Sequence, residues 1–256
     1  MPPAPIIMSP GGFCGGWVFD AFRGPFEKAG HEVIALDLPG HGADERPSRV
    51  IGQSMSDYVK AVSDAARACH RPPVLLGHSL GGLVSLMAAQ KVQTAAVVLL
   101  APSSPWGIAG GTVEEAVSAV SLYALGPFWT MAVDPDYATL RHYCVDRMPG
   151  EARRAIFARM KPESGRALWE TLNWWLDPFM TTSVDASRIK APILVLAGEK
   201  DAVHPPRTVR DTAAKVGGAF HMFPDMSHWL PGEPGCLEVA DYCVEWLGAN
   251  LALSAA

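Results

Sequence analysis

The sequence has little charge and no concentration of positive charge. Of its 256 residues, 18% are charged and 49% are hydrophobic, and the formal net charge is −5. A nucleic-acid backbone is bound by clustered Lys and Arg, and the chain carries no such cluster. We therefore expect no nucleic acid as a partner, and this composition argues against long disordered stretches.

Cysteine is also scarce, odd in number and scattered, without a C-x-x-C pair. The five cysteines are Cys14, Cys69, Cys144, Cys236 and Cys243. This pattern predicts reduced thiols rather than a disulfide framework. No cluster of Cys and His has the spacing of metal ligands, so we expect no metal.

Long hydrophobic runs are missing as well. No apolar run approaches the roughly 18 residues of a membrane-spanning helix. The first residues, "MPPAPIIMSPGG", have neither the positive n-region nor the apolar h-region of a signal peptide. These absences predict a cytoplasmic protein without a membrane span.

Short apolar runs alternate with longer helical patterns along most of the chain. The runs are "PIIMS" (5–9), "EVIALDL" (32–38), "PVLLGHS" (73–79), "AAVVLLAP" (95–102), "APILVLAGEKD" (191–201) and "AFHMFP" (219–224). Helices are predicted at 17–29, 54–69 (with Ser54 as N-cap), 80–91, 207–216 and 236–251. Apolar strands separated by helices indicate an α/β fold: a mainly parallel sheet of about six strands with helices on both faces.

One segment, residues 103–188, breaks this alternation. It has no convincing buried strand, and its patterns are helical: "TVEEAVSAVSLYAL", "EARRAIFARM" and "SGRALWETLNWWL". We interpret it as a helical cap over the C-terminal edge of the sheet. The chain would then comprise a core in two parts, 1–102 and 189–256, with the cap (103–188) inserted between them.

The motif "GHSLGG", residues 77–82, contains G-x-S-x-G between an apolar strand and a helical run. In this context the pattern predicts a nucleophile elbow, which holds a serine hydroxyl above the sheet. The glycines two residues before and after Ser79 are needed because Cβ atoms there would collide at the sharp turn. Ser79 is therefore the candidate nucleophile.

A serine needs a base, and the base needs a carboxylate that orients it. His228, in the polar loop "DMSH" after the last predicted strand, is the candidate base. Asp201 ends the strand "PILVLAGEKD" and is the preferred acid, at the edge where such folds place their chemistry. Glu199 is the alternative, whereas Asp225 is typical of a turn.

Three segments in this order, "GHSLGG", "LAGEKDAVHPP" and "SHWLPGEP", resemble the α/β-hydrolase superfamily. The likeness is to its small cap-bearing serine carboxylesterases, and "LDLPGHG" (36–42) is similar to the family's strand and turn before the nucleophile. The resemblance implies an α/β-hydrolase fold and a triad of Ser79, Asp201 and His228.

The stretch "SPGGFCGGW", residues 9–17, is called the glycine loop below. It lacks the Lys and Ser/Thr of a phosphate-binding loop, so we expect it to serve the serine. Acyl transfer needs two backbone N–H groups that bind an oxyanion. One would come from Leu80 and the other from Gly12 or, with a one-residue shift, from Phe13. Pro10 stands where many relatives carry a histidine.

Aromatic residues are concentrated in the cap, which contains five of the eight tryptophans (Trp106, Trp129, Trp169, Trp174 and Trp175). An apolar cap without a cationic cluster favours a small, uncharged, fairly hydrophobic ester as substrate. Phe13, Trp106 and Trp229 are candidates for the pocket lining, since they flank the glycine loop, the start of the cap and the predicted base.

The sequence thus predicts a carboxylic ester hydrolase that works through an acyl-enzyme and needs no cofactor. The same triad could serve a lactonase, a C–C bond hydrolase, a hydroxynitrile lyase or a perhydrolase. A non-catalytic small-molecule receptor is a further alternative, because a fold does not by itself determine a function. An epoxide hydrolase or dehalogenase is disfavoured, because Ser79 stands where those relatives need Asp.

Overall fold

A six-stranded parallel sheet forms the centre of the computed structural model, which describes residues 3–110 and 122–253. The strands are β1 (Ile6–Ser9), β2 (Val33–Ala35), β3 (Val74–His78), β4 (Ala96–Leu100), β5 (Ala132–Val133), β6 (Glu163–Ser164), β7 (Ile193–Gly198) and β8 (Ala219–Phe223). The sheet order is β2-β1-β3-β4-β7-β8, and β5 and β6 form a separate antiparallel pair. The predicted fold class is confirmed, and each of the six predicted core strands is present.

The four central strands, β1, β3, β4 and β7, are completely buried and almost entirely apolar. Ile6 and Met8 of β1 belong to the core on one face, whereas Ile7 belongs to the core on the other. Alternate side chains of a strand point to opposite faces, so every position of a central strand contacts a core. This is the physical basis of the unbroken hydrophobic runs in the sequence.

The helices are α1 (Gly24–Lys28), α2 (Met55–Ala68), α3 (Leu80–Ala89), α4 (Gly150–Arg159), α5 (Gly165–Leu172), α6 (Pro206–Val216) and α7 (Cys236–Leu253). Side chains of α1 and α7 pack into one core, and those of α2, α3 and α6 pack into the other. The layers are therefore helix, sheet and helix, as predicted.

The helix predicted for residues 17–29 is wrong in its first half. A 3₁₀ turn at Gly16–Phe19 is followed by α1, which begins only at Gly24. Pro25 lacks a backbone N–H and fits the first turn of a helix but not its interior, so the chain restarts its helix there.

Helix α2 begins as predicted at Ser54. The Ser54 hydroxyl accepts the N–H of Asp57 (3.3 Å), and the Asp57 carboxylate accepts the N–H of Ser54 (2.8 Å). This reciprocal capping box satisfies two N–H groups that a helix start leaves without partners.

The insertion between β4 and β7 contains α4, α5 and several short helical turns. The expectation that it holds no convincing buried strand is wrong, because β5 and β6 pair there over two residues each and both residues of β6 are buried. Strands this short leave no periodic pattern in a sequence. Residues 112–121 of the predicted helix "TVEEAVSAVSLYAL" lie outside the described residues, and the cap boundaries 103–188 stay a prediction.

Within residues 3–110 and 122–253, no helix combines the length and the apolar character that crossing a bilayer requires. The five cysteines are all free thiols.

Candidate active site

Ser79 occupies a strained turn between β3 and α3. Its φ of 51° and ψ of −122° lie outside the usual regions for a residue with a side chain. A Cβ atom on Gly77 would lie 2.2 Å from the carbonyl oxygen of Gly81, and one on Gly81 would lie 2.2 Å from the carbonyl oxygen of Pro10. Both glycines are therefore required by close backbone contact, and the turn has the geometry of a nucleophile elbow.

Ser79, His228 and Asp201 form one hydrogen-bonded chain. The Ser79 hydroxyl lies 3.0 Å from Nε2 of His228, and Nδ1 of His228 lies 2.9 Å from Oδ2 of Asp201. Each residue follows the carboxyl end of a parallel strand: Ser79 follows β3, Asp201 follows β7 and His228 follows β8. The structure thus brings together the three residues predicted as nucleophile, acid and base.

Asp201 is held by its own loop. Its Oδ1 accepts the N–H groups of Val203 and His204, both at 2.8 Å, which leaves Oδ2 for His228. The side chains of Asp201 and His228 are almost completely buried. Burial raises the pKa of Asp201 and lowers the pKa of His228, because both charged forms lose hydration. Burial therefore favours the neutral form of His228, which is the form a general base needs.

The alternative acids are not in contact with His228. Glu199 is exposed, pairs with Lys200 at 3.0 Å and accepts the N–H of Asp225. Asp225 itself has a φ of 56°, which is typical of a turn.

Two further histidines lie beside His228, and sequence analysis gave neither a role. The ring N–H of His78 donates to the carbonyl oxygen of His228 at 2.9 Å, and burial lowers the pKa of His78 to about 3. The ring of His204 lies edge-on to that of His228, with 5.1 Å between centroids, and its Nε2 lies 3.0 Å from the Ser103 hydroxyl. The position of His78 beside Ser79 was the only sequence signal.

The residue before His228 is fixed by two carboxylates. The N–H of Ser227 donates to Glu233 at 2.8 Å, and its hydroxyl donates to Asp146 in the insertion. Glu233 is only 2% exposed. Burial, followed by the charge of Asp146, raises the pKa of Glu233 to about 7, against the hydrogen bond from Ser227.

The candidate oxyanion donors differ in what they contact. The N–H of Phe13 donates to Oε2 of Glu163 at 3.0 Å. For the N–H groups of Gly12 and Leu80, the part of the chain that the structure describes offers no hydrogen-bond partner. Phe13 also has a φ of +65°.

The other pocket candidates have packing contacts. Trp229 is buried in the core, edge-on to His78 at 5.7 Å between ring centroids. The ring of Trp106 is edge-on to that of Trp174 at 5.3 Å, and the backbone N–H of Trp106 donates to the carbonyl oxygen of Thr182. Their role in a pocket stays a prediction, as does that of Phe13.

Among the residues described, no three His, Cys, Asp or Glu side chains are grouped in a way that could hold a metal ion.

Comparison with known proteins gives partial sequence matches. Over 95 residues the chain is 35% identical to a rice (Oryza sativa) protein named "Probable esterase PIR7A", covering 36% of each chain. Over 92 residues it is 33% identical to Phospholipase YtpA of Bacillus subtilis, covering 35% of this chain and 34% of the relative. The matched part therefore spans about a third of the length of these relatives.

Similarity to solved structures extends over nearly the whole chain. The methylesterase MES16 from Arabidopsis superposes with a TM-score of 0.73 at 17% identity, covering 96% of this chain and 99% of that one. At this identity the likeness concerns the fold alone. The family model described as "Alpha/beta hydrolase family" matches residues 6–241. With a family match that runs from β1 into α7, the chain belongs to the alpha/beta hydrolase family.

Proposed function

We propose that this chain is a serine hydrolase that cleaves carboxylic esters through an acyl-enzyme on Ser79. The observation that carries the proposal is the chain of contacts from Ser79 through His228 to Asp201, at 3.0 and 2.9 Å. These are the distances at which a base can take the hydroxyl proton and a carboxylate can orient the base. The names of relatives, which include esterases and a methylesterase, support the same reaction class.

In the proposed reaction Ser79 Oγ attacks the ester carbonyl while Nε2 of His228 takes its proton. The Asp201 carboxylate accepts a hydrogen bond from the Nδ1–H of His228, which fixes the tautomer of the ring and stabilises its cationic form. The alcohol leaves with the proton from His228. A water molecule then gives a proton to His228 and attacks the acyl group. His228 returns this proton to Ser79 Oγ as the bond between Oγ and the acyl carbon breaks, which releases the acid and restores the free enzyme.

The oxyanion of both tetrahedral intermediates would be bound by the N–H groups of Leu80 and Gly12. Leu80 directly follows the nucleophile, at the start of α3. Gly12 is favoured over Phe13 because the Phe13 N–H already donates to Glu163. Among the described residues, the two N–H groups lack internal partners. Leu80 directly follows Ser79, and a Cβ atom on Gly11, the neighbour of Gly12, would lie 3.2 Å from the Ser79 Cβ. An oxyanion hole requires two such donors, and each is worth about 3–4 kcal/mol in the transition state.

The substrate we propose is a small, uncharged, fairly hydrophobic ester. The insertion carries aromatic contacts, with Trp106 edge-on to Trp174 and Tyr123 edge-on to Phe128. Such side chains form apolar walls that favour apolar acyl and alcohol groups.

The experiment is hydrolysis of p-nitrophenyl butyrate, with methyl esters and a lactone as a substrate panel. Ser79→Ala should reduce kcat by a factor on the order of 10⁵ or more while the melting temperature stays near that of the wild type. Ser63→Ala is the matched control, because Ser63 is a buried serine of α2 whose hydroxyl has no hydrogen-bond partner among the described residues.

Ser79→Ala turnover near that of the wild type would refute Ser79 as nucleophile. A wild-type protein that hydrolyses no ester and takes no fluorophosphonate on Ser79 would instead favour the small-molecule receptor.

A further inference from the structure

Phe13 is held in an uncommon backbone conformation by the insertion. Its φ of +65° lies in the left-handed region, which residues with a side chain rarely adopt. Its N–H donates to Glu163 at 3.0 Å, and its carbonyl oxygen accepts the N–H of Lys161 at 2.9 Å. A strained residue persists only where its surroundings over-determine it. Here Lys161 and Glu163 bind the carbonyl oxygen and the N–H of Phe13, respectively.

Glu163 is the centre of a buried polar cluster that lies outside the proposed triad. It is 0% exposed. Its Oε1 accepts the hydroxyl of Tyr58 at 2.5 Å and the N–H of Ser164 at 2.7 Å. Nε2 of His41 lies 3.3 Å from Oε2, the oxygen that also accepts the Phe13 N–H. The cluster joins the glycine loop, the turn after β2, helix α2 and strand β6.

The carboxylate charge is compensated within the cluster. Burial by itself would lower the pKa of His41 and raise the pKa of Glu163. The two groups reverse this: the charge of Glu163 raises the pKa of His41, and His41 together with Tyr58 lowers the pKa of Glu163. This compensation matters because a Cβ atom on Gly12 would lie only 3.4 Å from Oε2 of Glu163. An uncompensated negative charge there would oppose an oxyanion bound at Gly12.

The segment that carries Glu163 is also bound to the turn after β2. The ammonium of Lys161 donates to the carbonyl oxygens of Ala43 (3.1 Å) and Gly42 in the turn after β2. The segment that contacts Phe13 is therefore also tied, through the Lys161 side chain, to backbone carbonyl groups of this turn.

We propose that Glu163 is a positioning residue, which holds Phe13 and so aims the N–H of Gly12 at the oxyanion. The inference rests on the proposed function, since it concerns the same acyl transfer. Glu163 acts on the glycine loop from the insertion, whereas Pro10 within the loop offers no side-chain donor of its own.

The test compares hydrolysis of an aryl ester with that of its thionoester, in which sulfur replaces the carbonyl oxygen. Sulfur is a poor hydrogen-bond acceptor, so the thionoester gains little from the oxyanion donors. The kcat/KM of the aryl ester divided by that of the thionoester therefore reports how well those donors are placed. Because a small misplacement can cost roughly a hundredfold in rate, Glu163→Ala should lower this ratio at least tenfold, through kcat rather than KM.

Two variants accompany Glu163→Ala. Glu163→Gln keeps an acceptor for the Phe13 N–H, so its ratio should fall less than that of Glu163→Ala. It also replaces Glu163→Ala in the test if the alanine variant does not fold. Glu170→Gln is the matched control: Glu170 is a buried carboxylate of α5 that accepts a backbone N–H, from Met55 at 2.8 Å, without touching the glycine loop. It should leave the ratio unchanged.

An unchanged ratio in both Glu163 variants would overturn the proposal, even if both rates fall together with the melting temperature. A wild-type protein that cleaves neither ester would overturn the proposed function instead, so the two failures are distinguishable.

Discussion

The buried Glu233 should make the stability of this protein fall as the pH rises. Its carboxyl is 2% exposed and accepts the N–H of Ser227, the residue before His228. Burial raises the pKa of Glu233 from 4.5 in water to about 7 in the folded chain. The substitution that tests this is Glu233→Gln, which keeps an acceptor for Ser227 but cannot ionise.

The magnitude follows from linkage between protonation and folding. Between pH 4.5 and about 7 the folded chain keeps a proton on Glu233 that the unfolded chain has released, so the folded state binds more protons and stability falls as the pH rises. Each pH unit in this window costs about 1.4 kcal/mol. The stabilising contribution is complete below pH 4.5, and about 3 kcal/mol of it is lost by pH 7 to 8.

The assay is urea unfolding of the wild type and of Glu233→Gln at pH 5 and pH 8. From pH 5 to pH 8, the free energy of unfolding of the variant should increase by roughly 2–3 kcal/mol relative to that of the wild type. Glu238→Gln, at an exposed position of α7, controls for the loss of an acidic group as such. The argument from burial would be refuted if the free energy of unfolding of the variant minus that of the wild type were the same at both pH values, or smaller at pH 8.

Two other predictions concern the elbow and the triad. Gly77→Ala should lower the free energy of unfolding by about 3 kcal/mol, because its Cβ would lie 2.2 Å from a carbonyl oxygen of α3. Gly248→Ala, in open space on α7, should raise it by about 0.5–1 kcal/mol, and equal urea midpoints for the two variants would contradict the packing argument. Asp201→Asn should lower kcat on the order of 10³- to 10⁴-fold without unfolding the chain. The new amide would face Nδ1 of His228 and force the ring proton onto Nε2, which could then no longer accept the proton of Ser79, and a loss below tenfold would count against this role.

Local pattern was sufficient wherever a feature depends on neighbours in the chain. The elbow at Ser79 needs glycines two residues away on each side, and both can be read directly from "GHSLGG". Asp201 and His228 could be chosen because parallel strands bring their carboxyl ends to one edge of a sheet. The failures were also local, as in the helix expected across Pro25.

The sequence by itself therefore determined the layered α/β fold and the identity of the residues that meet at Ser79. Periodicity, glycine spacing and strand ends are properties of short stretches. Only the tertiary structure distinguishes Gly12 from Phe13 as a proposed donor, because the partner of the Phe13 N–H is Glu163, 150 residues further along the chain. Tyr58 and Glu163 are likewise 105 residues apart. Contacts at such separations arise from how the insertion packs on the core. A single glutamate gives no local sequence pattern from which these contacts could be predicted.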